Sequence, residues 1–278
     1  MNNADSLPMN SGDSSVPATT PTRLQRVLSV WYRHWRVYNT SFFANATPAV
    51  LEPLFFQLAV GFGVGRYLSE DFYKKMNYAT FMAPGILGMT ALYTAAFEAT
   101  HATFVRMRYQ KTYSAMLATP LTRSDIFWGE LLWCASKGFL YSMIVGVVLA
   151  AFGTILTPLA LLIPIAGFFT AMAFAGISFV ITSYVKNINQ FQYYFTAFLT
   201  PLVYVSGLMF PVEQLPYGLK WAAYSLPMFH VVETFRLIVS GPDKASVVWA
   251  PFCPLILIGM AFFFSWIGVK AMEKRVGV

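Results

Sequence analysis

Six long apolar stretches, nearly free of charge, constrain this chain more than any other feature of its sequence. They run approximately from Pro48 to Leu68, Tyr78 to Glu98, Ile126 to Gly153, Pro158 to Tyr184, Phe191 to Phe210 and Val248 to Val269. A hydrocarbon core about 30 Å thick takes about 20 helical residues to cross, and each stretch is long enough. Composition points the same way. Hydrophobic residues make up 57% of the chain and charged residues 11%, against about 25% charged in a soluble domain. Mean hydropathy is +0.56. Water would leave much of that surface unfavourably exposed, whereas lipid solvates it. The expected fold is all-α, a polytopic membrane protein with six transmembrane helices.

Residues 1–22 are rich in Ser, Thr, Pro and Asn, without the basic start and apolar core of a secretory signal. They are expected to be a disordered tail. Residues 23–40 then read as an interfacial amphipathic helix. Leu24, Val27, Leu28, Trp31, Trp35 and Tyr38 fall on one face, and Arg23, Arg26, Arg33 and Arg36 about half a turn away. Trp on one side and Arg on the other suit a helix lying flat in a membrane interface. The remainder, residues 41–278, forms the transmembrane domain.

The net charge of +7 must be read by position, because Lys and Arg collect on the cytoplasmic side. With the amino terminus inside, twelve of the 19 lie in cytoplasmic segments: Arg23, Arg26, Arg33, Arg36, Arg106, Arg108, Lys111, Arg123, Lys186, Lys270, Lys274 and Arg275. Six lie outside: Arg66, Lys74, Lys75, Lys220, Arg236 and Lys244. Lys137 is within a span. The bias predicts that both termini are cytoplasmic.

Two connections are long. Residues 101–125 are basic and predicted to be cytoplasmic. Residues 211–246 are predicted to be external, yet carry Leu215, Tyr217, Leu219, Trp221, Tyr224, Leu226, Met228 and Phe229. A free loop has no need of so many large apolar groups. Pro211, Pro216 and Pro227 divide the segment into short helices. These either re-enter the membrane or pack on its outer surface as a cap.

Four ionisable residues lie in or near the spans: Glu52, Glu98, Glu130 and Lys137. Charges at such depth face the bundle interior and pair. Glu130 and Lys137 are seven apart and share a helix face, so Lys137 is expected to meet a carboxylate from another span. The resulting network is either a static register lock or a latch that rearranges. Phe191, Tyr193, Tyr194, Phe195 and Phe198 crowd the fifth span, where they either pack helices or stack on sugar rings along a path. Cys134 and Cys253 sit in apolar runs, so neither a disulfide nor a metal site is expected. His34, His101 and His230 are scattered, and no nucleotide-binding or hydrolase motif occurs, so no catalytic residue is assigned. Gly61, Gly63 and Gly65, inside a span, suit close helix packing. The basic charge calls for no nucleic acid partner.

Two motifs go beyond a generic membrane pattern. The first reads Phe97-Glu98, Arg106-Met107, Gln110 through Thr122, then Asp125-Ile126 and Gly129-Glu130. The second reads Ser206 through Pro211, then Leu215-Pro216, Leu226-Pro227 and Arg236. Together, over residues 25–275, they resemble the type-2 permeases of ATP-binding-cassette (ABC) exporters. Within that group the chain is most similar to the nodulation-type permeases that export lipo-chitooligosaccharides; a drug, antibiotic or other lipid exporter on the same scaffold is the alternative, ahead of an intramembrane enzyme or a channel. The resemblance implies a transport subunit, not an enzyme, in the bacterial inner membrane. Its partners would be a cytoplasmic ABC ATPase, which holds the ATP and Mg²⁺, a second copy of itself, and lipid. A cytoplasmic coupling helix within Gln110–Leu121 would dock on the ATPase through Arg108, Gln110, Lys111, Thr112, Tyr113, Met116 and Leu117. External re-entrant helices would close an outer gate at Phe210, Pro211, Leu215, Pro216, Leu226 and Pro227. Many members are acidic at the coupling segment. Here Arg108, Tyr109 and Lys111 stand nearby and Ser114 sits where the nodulation type often has an acid, so the docking surface is expected to be basic.

Overall fold

A computed structural model describes residues 21–67 and 76–276. The expected tail up to residue 20, and the predicted external Lys74 and Lys75, lie outside the described residues. Every regular element within them is helical. Helix α1 is Arg23–Asn39, started by a Thr22 capping box with Gln25. Five helices are long and apolar enough to cross a membrane: α2 (Phe42–Tyr67), α3 (Tyr78–Tyr109), α5 (Arg123–Ala151), α6 (Pro158–Tyr184) and α10 (Ala250–Arg275). Between α3 and α5 lies the short α4 (Thr112–Leu117).

The fifth expected span departs from the pattern. Residues 191–205 are continuously helical, as runs of 3, 6 and 6 residues, and we call them α7. That is about 22 Å at about 1.5 Å per residue, shorter than the core it was expected to cross. The helix stops at Ser206 because Gly207 takes a positive φ of 85°. Helices α8 (Tyr217–Ser225) and α9 (Pro227–Ser240) follow, divided at Pro227 as expected.

The bundle has two distinct ends. At one, Arg26 of α1 pairs with Asp125 at the start of α5 (2.6 Å). There, too, Thr182 of α6 donates to the Ala99 carbonyl (2.9 Å), and Arg275 of α10 donates to the Val185 carbonyl. At the other, Leu156 N–H donates to the Val239 carbonyl (2.8 Å) and Tyr78 to that of Met209 (3.2 Å). Helix α7 joins the two ends. Phe191 packs edge-on against Phe104 near the first, and Gly207 lies at the second.

Helix α9 is buried along most of its length. A side chain at Gly88, about 15 Å along α3 from Tyr78, would run into Met228 and Val231 of α9. The last turn of α9 bonds to Leu156 and Thr157 at the rim. The helix therefore rises from the interior to the rim and is not a flat cap.

Helices α5, α6 and α10 meet backbone to backbone. A methyl on Gly176 of α6 would sit 2.4 Å from the Phe264 carbonyl carbon, and one on Gly268 would sit 2.3 Å from the Gly176 oxygen. Gly138 and Gly167 seal α5 to α6 in the same way. Small residues at such crossings let helices approach closely in lipid. Gly61 similarly faces Ala79, and Gly65 faces Tyr78, while a side chain at Gly63 would meet little. We expect Gly176→Ala to destabilise the purified protein by about 1–3 kcal/mol, since backbone cannot retreat. Gly259→Ala, whose methyl would meet nothing within 4 Å, is the control. Equal thermal midpoints for the two variants in detergent would refute the close seam.

Candidate functional site

The site begins where α3 continues past its expected end. The apolar run stops near Glu98, but the helix continues to Tyr109 through two wide π turns, Glu98–Ala102 and Val105–Tyr109. Residues 101–109 are thus helix, not loop, and Arg106 is drawn in beside the bundle. Arg106 holds Glu98 Oε1 with Nη1 (2.8 Å) and Glu130 Oε2 with Nη2 (2.6 Å). Lys137 of α5 holds Glu98 Oε2 (2.8 Å). Two carboxylates thus face two cations, and the cluster balances. Such balance is what makes burial tolerable, because desolvating each ion costs several kcal/mol in isolation.

Two further side chains complete it. Tyr113 of α4 donates its hydroxyl to Glu130 Oε1 (2.9 Å). Burial, then the neighbouring carboxylate, push that phenol well above its usual range, so it remains the donor. His34 of α1 brings Nε2 to 2.9 Å from the same oxygen. Its ring stacks on Trp133 at 6.0 Å. Four separate elements, α1, α3, α4 and α5, therefore converge on Glu130.

The structure brings Glu98, Glu130 and Lys137 together. Glu52 is not in the cluster. It lies on an exposed face of α2 and lines a cleft of about 510 Å³ between α2, α3, α5 and α7. Lys137 borders the same cleft, with Asn45, Thr94, Tyr93, Phe97 and Phe195. Sequence reasoning missed Arg106, counted as a loop cation, and His34, counted as scattered. The spacing Arg26, Val30, His34, Tyr38 carried the signal for His34. It is a strict i, i+4 stripe, and it forms the face of α1 packed on α5. Leu24, Leu28 and Trp35 of the predicted apolar face stay exposed.

The connector has an inward and an outward side. Tyr113 and Met116 are buried and anchor α4, while Thr112 and Leu117 are half-buried. Arg108, Tyr109, Gln110, Lys111, Ser114 and Ala115 are exposed. Lys111 takes a left-handed backbone (φ 51°) that turns the chain from α3 into α4. Of the seven residues expected to dock a partner, then, Arg108, Gln110 and Lys111 present themselves fully, and Tyr113 and Met116 instead hold the segment in place.

At the other end, Phe210, Leu215, Leu226 and Pro227 are half-buried, Pro211 is buried and Pro216 exposed. The centre of this region is one that sequence reasoning placed in an external loop. Arg236 of α9 is 1% exposed. It pairs with Glu233, donates to Ser246 Oγ and to the Gly207 carbonyl (3.0 Å), and lies over the Phe81 ring at 4.7 Å. Ser246 N–H closes the loop by donating to Glu233 Oε2 (2.8 Å). Arg236 was counted among external charges; it is an internal clamp.

A multi-span helical bundle with an exposed basic connector seated on a buried, neutral charge cluster is the build of a polytopic membrane protein. Residues 25–239 match the ABC-2 type transporter family, and the chain belongs to that family. It is similar to nodulation protein J of Sinorhizobium fredii, 33% identical over 93% of this chain and 97% of that one. Nodulation protein J of Rhizobium leguminosarum bv. trifolii is 33% identical over 86% and 90%. A more distant relative is the probable multidrug ABC transporter permease YbhR of Escherichia coli, 26% identical over 66% of this chain and 50% of that one. The chain is an ABC exporter permease.

Proposed function

We propose that this permease moves an amphiphilic or lipid-linked glycan outward across the bacterial inner membrane, as a homodimer driven by two copies of a cytoplasmic ATPase. The observation that carries this reading is the exposed face of the connector, Arg108–Lys111 with Ser114 and Ala115, set at the end of the bundle that also holds α1 and the last turn of α10. Six crossings put both termini on the cytoplasmic side. The short α7 counts as the fifth, supported by its ties to both ends of the bundle. The partner holds ATP and Mg²⁺. Its closure pushes on the connector, and Tyr113 passes the displacement to Glu130 and so to α3 and α5. Helices α8 and α9 enter from the outside and form the outer gate with Phe210 and Pro211.

The substrate class is supported by the similarity to nodulation protein J and by the cleft beside Lys137. Tyr93, Phe97 and Phe195 offer aromatic faces for sugar rings, and Asn45, Thr94 and Glu52 offer partners for hydroxyls. Phe43, Phe55, Phe198 and Tyr204, on α2 and α7 beside it, point outward, where a second copy or lipid would cover them. The more distant multidrug relative favours a second reading, a hydrophobic drug in the same cleft.

The docking assignment is tested by charge reversal. Arg108→Glu with Lys111→Glu should cut co-purification of the ATPase by about tenfold, because interface charges of the wrong sign repel. The permease should remain monodisperse, since both side chains are exposed. An undiminished yield of complex removes the assignment.

A further inference from the structure

A second cleft, of about 880 Å³, opens beside the connector at the ends of α6 and α10. Arg108 and Ser114 line it from the connector, Lys186 from the turn after α6, and Lys270, Lys274 and Arg275 from α10. Its floor is apolar, with Val180, Trp266 and Ile267. Five cations therefore face one another, and no carboxylate is among the lining residues; Glu273 of α10 is not one of them. Elsewhere at this end Arg26 rests on Asp125, Arg106 on Glu98 and Glu130, and Lys137 on Glu98. Here the positive charge is left over. Arg275 uses Nη2 on the Val185 carbonyl, but its buried Nη1 has no partner.

The depth of the cleft follows from its aromatic wall. Trp266, Lys270 and Lys274 follow one another at i, i+4, i+8 on one face of α10, and the Lys270 ammonium lies 3.9 Å from the Trp266 ring centroid. Trp with Lys at the end of a span marks the headgroup level, the Lys stem lying on apolar surface and the charge reaching outward. An apolar floor under a cationic rim at that level fits one occupant well. We propose that the cleft binds the phosphodiester headgroup of an anionic phospholipid of the cytoplasmic leaflet, with an acyl chain along Trp266 and Ile267. Because Arg108 and Ser114 form one wall, the lipid ties the connector to α10 and makes coupling sensitive to leaflet charge. The proposal rests on the reading that this end faces the cytoplasm. Its test uses the permease alone and does not depend on docking of an ATPase.

The full chain, purified in detergent, is mixed with phosphatidylglycerol, with phosphatidylcholine of the same acyl chains, or with inorganic phosphate, and bound lipid is read by native mass spectrometry. Phosphatidylglycerol should be retained roughly tenfold better than phosphatidylcholine. Lys270→Gln with Lys274→Gln should abolish that preference, and Arg123→Gln, an exposed cation outside the cleft, should preserve it. Ser114→Glu keeps every cation but adds a negative charge to the wall, and should also reduce retention. That variant decides the matter if the double lysine variant misfolds. Equal binding of the two lipids, or retention untouched by Ser114→Glu, overturns the proposal. So does displacement of the lipid by millimolar phosphate, which would mark a site for a free anion. A folded double lysine variant that keeps the lipid preference also overturns the proposal.

Discussion

Glu130→Ala should lower the stability of the purified permease by about 3–5 kcal/mol, far beyond the ~0–1 kcal/mol of a surface ion pair. Glu130 is completely buried. Its removal leaves the Nη2 of Arg106 with only a 3.3 Å bond to Thr103, takes the acceptor from the hydroxyl of Tyr113, and leaves two cations facing the single carboxylate of Glu98. Glu130→Gln keeps an oxygen for Tyr113 but not the charge, and should fall between. Because the cluster acts as a unit, Arg106→Ala added to Glu130→Ala should cost less than the two single changes summed. Thermal midpoints of detergent-solubilised variants measure all three. A Glu130→Ala protein that melts with the parent would mean that the convergence of α1, α3, α4 and α5 on this carboxylate carries no energy.

Arg236→Ala should be comparably severe, at about 3–5 kcal/mol, because it leaves Glu233 as an uncompensated buried charge. It also removes the donor to the Gly207 carbonyl and to Ser246, so the turn after α7 and the loop after α9 lose their common anchor. Arg236→Lys should rescue only part of this, since one ammonium cannot span partners that a planar guanidinium reaches together. Limited proteolysis adds a local readout. Loop 241–249 should become cleavable at temperatures where the bundle is intact. Parental resistance of this loop in Arg236→Ala would remove the clamp from the account of this end.

The apolar runs made the long helices legible, and the predicted Pro158–Tyr184 span matches α6 at both ends. The prolines correctly divided the segment after α7. What the runs could not convey was how charges are neutralised across helices. Arg106 looks like a loop cation because its partner Glu130 is matched by packing, not by neighbourhood in the chain, whereas the carboxylate of Arg236, Glu233, stood three positions away on the same helix. Arg106 meets Glu130 24 positions away, and Lys137 meets Glu98 39 positions away. A helix containing paired charge continues past the point where hydropathy falls, which is why α3 outran its expected end. The same blindness hid the stripe through His34. Its periodicity was visible, but nothing local distinguished a face against protein from a face against lipid. The shortening of α7 depended on one left-handed glycine, whose conformation no composition reveals.

The wide turns are not scattered evenly. Among the described residues they occur at Gln57–Gly63 in α2, at Glu98–Ala102 and Val105–Tyr109 in α3, and at Tyr194–Leu199 in α7. Helices α5, α6 and α10, sealed by glycine, contain none. A π turn carries an extra residue and weaker hydrogen bonds, so it yields more readily than an α turn. The molecule thus has a stiff half, built like staves without a gasket between them, and a pliant half beside it. The connector is fastened to one of each, α3 before it and α5 behind. On the coupling proposed above, a shove at that joint meets a wall in α5 and a spring in α3, so most of the travel goes to α3 and to α2 and α7, which border the 510 Å³ cleft with it.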